Sequence, residues 1–219
     1  MEQTLINLVK VKTTRPAPYL AVTARRPHQT ARLILRSLTS ADLGDYHELR
    51  TQAEVMVFTS QGRPDASLAE TQAKLDLFMS PGGDGIYVMG VEERATGTLI
   101  GTVGSHLRVD ALGWPALGYM LRREAWGRGY ATEMVAGFLE VYWALPREEA
   151  RGGLAVDVST VSEGAEEVRE QIVALTLDLN VASQNVLRKT GFKQVKKWID
   201  TENAPLVPLC FAFSLERPE

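Results

Sequence analysis

The sequence predicts a mixed α/β (α+β) fold, with a mostly antiparallel central sheet flanked by helices. Three observations carry this expectation. Some segments repeat apolar residues at helical spacing while others alternate them as strands do. Two strand-like runs, Ile86–Glu92 and Leu99–Leu107, are separated by Arg94-Ala95-Thr96-Gly97, which reads as a hairpin turn. A third run, Pro115–Leu121, leads to Trp126-Gly127-Arg128-Gly129-Tyr130-Ala131-Thr132-Glu133 and then to an amphipathic helix reaching about Leu145.

The remaining elements follow in order. Arg32–Leu38 reads as the first core strand, and Thr39-Ser40-Ala41-Asp42 supplies helix caps for a helix over about 41–52. A second helix begins at Ser67 and ends at Pro81-Gly82-Gly83-Asp84-Gly85. Tyr130, Met134, Phe138, Leu139, Val141, Tyr142 and Leu145 form the apolar stripe of the helix after the glycine turn, and Pro146 stops it. Ile172–Leu179 alternates as a fifth strand, Ala182–Thr190 forms a short helix closed by Gly191, and Phe192–Ile199 and Leu206–Leu215 make a final antiparallel pair. Residues 147–171 are rich in acids (Glu148, Glu149, Asp157, Glu163, Glu166, Glu167, Glu170) and read as an acidic surface insertion with a short helix near its end. Residues 1–30 form an extended, basic arm in which Leu5–Lys12 can add an edge strand. Residues 31–219 form a single domain.

Composition narrows the function. The chain has 219 residues, 45% apolar and 23% charged, which suits a soluble protein with one sizeable core. A net charge of −3 argues against a general nucleic-acid binder. No apolar run is long enough for a membrane helix. Cys210 is the single cysteine and His28, His47 and His106 are scattered, so neither an internal disulfide nor a metal site is expected. A cytoplasmic location is the default reading. The basic arm shares its charge bias with mitochondrial targeting segments, although Pro16, Pro18 and Pro27 break any long helix there.

The glycine turn is the chemical landmark. A strand, a glycine-rich turn and a helix N-terminus bring unpaired amides and the positive end of a helix dipole to one place, which suits phosphate. A dinucleotide-binding turn is ruled out because Thr132 stands where its third glycine belongs, and no Gly-Lys-Ser/Thr follows to make a nucleotide-binding P-loop.

Gly129-Tyr130-Ala131 and, some 50 residues later, Asn180-Val181-Ala182-Ser183-Gln184-Asn185 followed by Lys189-Thr190-Gly191-Phe192 resemble the two signatures of the GNAT N-acetyltransferase superfamily. The form is similar to the branch of ribosomal-protein alanine N-acetyltransferases, and the resemblance spans about 31–215. It implies the acyl-CoA N-acyltransferase fold, acetyl-CoA as acyl donor and a primary amine as acceptor, on a protein N-terminus or a small molecule. Transfer would be by direct attack in a ternary complex, by a monomer or homodimer needing no nucleic acid, membrane or metal.

The resemblance also implies site roles. Gly127, Arg128, Gly129, Tyr130, Ala131 and Thr132 would hold the diphosphate. Met120 and Leu121 would line the pantetheine arm, and Asn180 and Asn185 would bond it or order a water, while the residues alone leave Asn180 open as the cap of the next helix. Ser183, with Asn180, would serve the chemistry by meeting the leaving thiolate. The chain carries Trp126 where the superfamily has arginine or glutamine, and Leu187 where many members carry a tyrosine acid. Glu54, Glu133 and His106 stay open as bases. About 55–65, with Phe58, Gln61 and Arg63, would shape the acceptor side. A non-catalytic acyl-CoA sensor is the alternative reading.

Overall fold

Chain order is set by alternating short strands and amphipathic helices in the computed structural model, which describes residues 6–79, 85–199 and 209–219. Strands β1 (Leu8–Val11), β2 (Thr14–Pro16), β3 (His28–Gln29) and β4 (Leu33–Arg36) come first. Helices α1 (Leu43–Arg50), α2 (Ala53–Met56) and α3 (Leu68–Met79) follow, then strands β5 (Tyr87–Glu93), β6 (Leu99–Leu107) and β7 (Ala116–Leu121). After α4 (Tyr130–Trp143) come β8 (Arg147–Glu149), β9 (Leu154–Asp157), β10 (Gln171–Leu177), α5 (Val181–Lys189), β11 (Lys193–Ile199) and β12 (Leu209–Glu216). The architecture is mixed α/β with a mostly antiparallel sheet and flanking helices, as the patterning predicts. Among the described residues, no helix is long and apolar enough to cross a membrane.

The chain divides into two compact units. The inner unit takes in Pro18–His106 and Gly118–Ala144. The terminal unit holds both chain ends, Leu107–Leu117 and everything from Leu145 onward.

In the inner unit β3, β4, β5 and β6 pair antiparallel in succession, and β7 lies beside β6. The helical period of α1 and α3 turns Tyr46, Leu49 and Leu75 onto Leu38, Val88 and Leu99 to make the core, with Phe78, Met120 and Trp126 packed around it. Thr39 and Asp42 form a reciprocal capping box before α1, as the cap residues predict.

In the terminal unit β12 sits between β10 and β11, antiparallel to both, and β10 runs parallel to the first residue of β7 through Val173 and Ala116. Trp114, fully buried, anchors this core with Val11, Val156, Val173 and Ala212, and its indole N–H donates to Thr160 Oγ1 at 2.9 Å.

One expectation changes. The segment 147–171 is neither a solvated loop nor helical near its end: β8 pairs with β2 and β9 with β1, antiparallel. Its acids are not all solvated either. Glu170 and Asp157 have fully buried side chains, paired with Arg147 and Lys196 at 2.7 Å each. Composition misleads here because a charged residue with a buried partner looks the same in sequence as a solvated one. The arm contributes the expected edge strand within Leu5–Lys12, at Leu8–Val11, paired with β9 in a two-stranded sheet. Leu5, the Pro81–Asp84 helix stop and 206–208 of the last strand lie outside the described residues.

Candidate active site

The head of α4 is built by two glycines. Gly127 (φ 73°) and Gly129 (φ 79°) adopt the left-handed backbone that side-chain-bearing residues avoid, and Gly129 is the N-cap residue. A glycine cap has no side chain to offer, and no side-chain cap bond forms. The first helical bond runs from Glu133 N to Gly129 O (3.2 Å), so the amides of Tyr130, Ala131 and Thr132 have no carbonyl to bond inside the helix. Three adjacent donors at the positive end of a 14-residue helix have the geometry that suits an anion.

Side chains around this mouth are tied to one another rather than to its amides. Glu133 accepts from Thr30 Oγ1 (2.6 Å), Arg32 N (2.7 Å) and Arg32 Nε (2.7 Å). Arg32 also donates to Arg128 O (2.9 Å) and stacks over the Tyr130 ring at 4.3 Å. Arg128 lies over the same ring at 4.8 Å and reaches the Tyr130 hydroxyl, which donates to Glu93. Burial works to raise the proton affinity of Glu133, but the Thr30 and Arg32 bonds outweigh it and hold the carboxyl below its usual range. The Tyr130 bond does the same for Glu93. A carboxylate so engaged is a poor proton acceptor, so Glu133 braces the turn.

Met120 and Leu121 end β7, Met120 half-buried and Leu121 buried. Leu121 O accepts from Trp126 Nε1 at 2.8 Å, so Trp126 pins the strand end to the turn. Earlier in β7, Gly118 lies against His106 of β6: a Cβ added there would fall 2.5 Å from the imidazole Cδ2. The absent side chain is what lets the ring lie on the strand. Burial lowers the His106 pKa, and a hydrogen bond with the Gly118 backbone offsets this only in part, so the ring is neutral at pH 7.

The second predicted group belongs to the terminal unit. Asn180 caps α5, its Oδ1 accepting from Ser183 N at 3.1 Å. Ser183 is half-buried on the first turn, while Asn185 is exposed and takes a long 3.5 Å contact from Arg188 Nη1. Leu187 is fully buried in the core. Gln184 donates to Leu177 O and Asp178 O, closing the end of β10. Thus Met120, Leu121 and 127–132 gather in the inner unit and Asn180, Ser183 and Asn185 in the terminal unit.

The 55–65 segment has a polar hub. Asp65 receives Arg50 through two bonds (2.6 and 2.7 Å), Gln61 Nε2 (2.7 Å) and Thr71 Oγ1 (2.8 Å). Burial opposes ionisation of Asp65, yet these bonds win and bring its pKa to about 2. Arg63 is engaged with Glu70, so Gln61 and Arg63 hold the loop while Val57 and Phe58 stay exposed.

Sequence reading missed Arg32, Glu93, Gln184 and the His106–Gly118 contact. Arg32 and Glu133 are 101 residues apart, and no local pattern links them. The bare Gly118 opposite an aromatic neighbour left the only trace, as a glycine inside a strand.

Comparisons with known proteins agree with this architecture. A GNAT acetyltransferase of Bacillus anthracis is 16% identical with a TM-score of 0.65, covering 89% of this chain and 100% of that one. The spermidine N-acetyltransferase of Vibrio cholerae, in complex with CoA and spermine, is 14% identical with a TM-score of 0.63, covering 86% and 97%. The ribosomal alpha-N-protein acetyltransferase RimL, in complex with coenzyme A, is 14% identical with a TM-score of 0.66, covering 87% and 98%. These likenesses establish the fold. The model of the acetyltransferase (GNAT) domain matches residues 32–193, which is most of the sequence. With that match, the chain belongs to the GNAT acetyltransferase family and is an acetyl-CoA-dependent acyltransferase.

Proposed function

We propose that this protein acetylates a primary amine by direct attack on acetyl-CoA in a ternary complex. The observation that carries the proposal is the uncapped head of α4, where the amides of Tyr130, Ala131 and Thr132 stand free behind two left-handed glycines. That arrangement fits the diphosphate of coenzyme A, with Gly127, Gly129 and Arg128 at its rim. The strand end at Met120 and Leu121 would carry the pantetheine arm. The amine acceptor is either a protein N-terminus or a small molecule. RimL and the spermidine enzyme, which share the fold, are named for one of each. The family match over 32–193 supports a catalytic domain at 31–219 with 1–30 as an arm.

In this mechanism the bound ammonium first loses a proton. Among the bases left open by sequence, His106 has the strongest support: it is neutral at pH 7 and lies against β7 at Gly118. The amine nitrogen then attacks the thioester carbonyl carbon, backbone N–H groups near Leu121 bear the charge on oxygen, and the carbon–sulfur bond breaks. The attacking nitrogen gives up its second proton as the amide forms, and the departing thiolate takes up a proton relayed through Ser183, directly or by way of a water that Asn180 and Asn185 help to order, so the serine hydroxyl ends as it began.

Thiol release from acetyl-CoA, measured over a panel of N-terminal peptides, polyamines and small amines, tests the reading. Turnover with one class identifies the acceptor. Failure to bind CoA at all would overturn the proposal. Ser183→Ala should lower kcat more than it raises the KM for acetyl-CoA, and an unchanged kcat removes Ser183 from the chemistry. His106→Gln should abolish the rising limb of the pH–rate profile, and an unaltered limb removes His106.

A further inference from the structure

Three contacts fix the end of β7. Arg122 N donates to Ile100 O of β6 at 2.8 Å, and a Cβ added at Gly101 would fall 3.2 Å from Leu121 Cα. Arg122 therefore stands opposite Ile100, and Leu121 opposite Gly101. The third contact is the bond from Trp126 Nε1 to Leu121 O at 2.8 Å. A strand residue sends its own N–H and C=O to one edge, and the next residue sends both to the other. With Arg122 N bonded to β6, the N–H and the carbonyl of Leu121 both face away from β6. Trp126 takes the carbonyl of this pair and not the N–H.

The electrostatic consequence is direct. A bare carbonyl oxygen beside the Leu121 N–H would put partial negative charge at the edge where the thioester oxygen gains its own. An indole N–H donates, cannot accept and carries no charge, so it satisfies the carbonyl without drawing the acyl oxygen to itself as a cation would. The ring is held for this task. Trp126 is half-buried against the core of the inner unit, and Arg123 Cζ lies over its ring, 5.0 Å from the centroid. The single turn before it, Arg123–Ala125, is anchored by the cap residue of α2: Gln52 Oε1 accepts from Arg123 N at 2.7 Å, and Gln52 Nε2 donates to Glu124 Oε2 at 3.0 Å. Packing and these bonds leave the indole little freedom to swing off the carbonyl.

We propose that Trp126 is a positioning residue for acetyl transfer: its indole N–H engages the Leu121 carbonyl, so that the Leu121 N–H alone meets the thioester oxygen as charge develops there. The inference rests on the reading that places the thioester at the end of β7. It gives a task to the tryptophan that stands where the superfamily has arginine or glutamine.

Two variants of the full chain test this. Trp126→Phe keeps an aromatic ring against the core and removes the N–H, and benzothienylalanine in place of Trp126 keeps the bicyclic outline with sulfur for the N–H. The first readout needs no acceptor amine: it is the infrared stretch of the isotope-labelled carbonyl of bound acetyl-CoA. In the unaltered chain this band should lie at lower frequency than in free acetyl-CoA, because a donor on the oxygen polarises the carbonyl. In both variants the shift should shrink. The second readout is steady-state transfer to the amine found in the panel above. There kcat should fall about tenfold, while the KM for acetyl-CoA and the calorimetric Kd of CoA change less than about twofold. A full band shift or an unaltered kcat in the variants overturns the role of Trp126. So does a loss of CoA affinity as large as the loss of kcat, which marks a general disturbance of the cofactor site. An unshifted band in the unaltered chain overturns the placement of the thioester itself, and this inference with it. If Trp126→Phe fails to fold, the benzothienylalanine chain, which matches the native shape, decides.

Discussion

The heads of α4 and α5 are both helix N-termini at the end of a strand, yet they are finished in opposite ways. At α5 the Asn180 side chain takes the Ser183 amide, so the helix closes its own end. At α4 the N-cap is Gly129, and the nearby polar side chains bind one another instead. A capped end is a stability device, whereas the uncapped end, with its neighbouring side chains engaged elsewhere, leaves the donors that the proposed function assigns to the diphosphate. The difference teaches that an anion site needs more than a glycine turn. It needs the surrounding carboxylates and guanidiniums satisfied elsewhere, so that none folds over the amides.

Four experiments break or sharpen this contrast. Gly129→Val should have the largest effect, because a β-branched residue at φ 79° forces the turn to rearrange. CoA affinity by calorimetry should fall about 100-fold, corresponding to roughly 2–3 kcal/mol of backbone strain and lost contacts. An unchanged Kd would mean that the diphosphate binds elsewhere. Arg32→Met comes next. It releases Glu133 and the Arg128 carbonyl, and the freed carboxylate can then compete for the helix amides. CoA affinity should drop about tenfold, with partial rescue in Arg32→Lys, which restores one charge-assisted bond but not the fork. Equal loss in both variants would point to simple unfolding, which circular dichroism detects.

Asn180→Ala should cost about 1 kcal/mol of stability through the lost cap. Asn180→Asp keeps the capping oxygen and should restore the melting temperature. If Asn180 also serves the reaction through its amide nitrogen, turnover stays low in the aspartate variant although stability returns. Recovery of both assigns the residue to capping alone.

The smallest effect concerns acid. Glu133 and Glu93 have lowered folded-state pKa values, so each contributes stability above the ordinary carboxylate range (about 4) that is lost as pH falls through the lower folded value. The cap at α5 is uncharged and has no such dependence. The hydrogen-exchange protection factor of the Glu133 amide, the first bonded donor of α4, should therefore fall below about pH 4 while that of the Ser183 amide changes less. Glu133→Gln should flatten the acid dependence at α4, and parallel acid responses at the two heads would contradict the bracing role.

Much of this could be read along the chain. The hairpin at 94–97, the α4 stripe and the Asn180 cap depend on neighbours within a few residues, where helix and strand periods and turn chemistry are explicit. Prediction fails where distant segments meet. Residues 147–171 look solvated by charge count, yet β8 and β9 pair with an arm more than 100 residues earlier, and Glu170 is matched to Arg147. Arg32 reads as the edge of a strand until Glu133 and Tyr130 are placed around it.

The sequence by itself determined the element order, the open glycine turn and the two signature segments, because these rest on short-range sterics and hydrophobic period. Only the tertiary structure decided which charges are buried in pairs, why Gly118 carries no side chain, and how the mouth of α4 stays clear. Those outcomes depend on desolvation and on contacts between residues far apart in the chain, which a linear pattern does not encode.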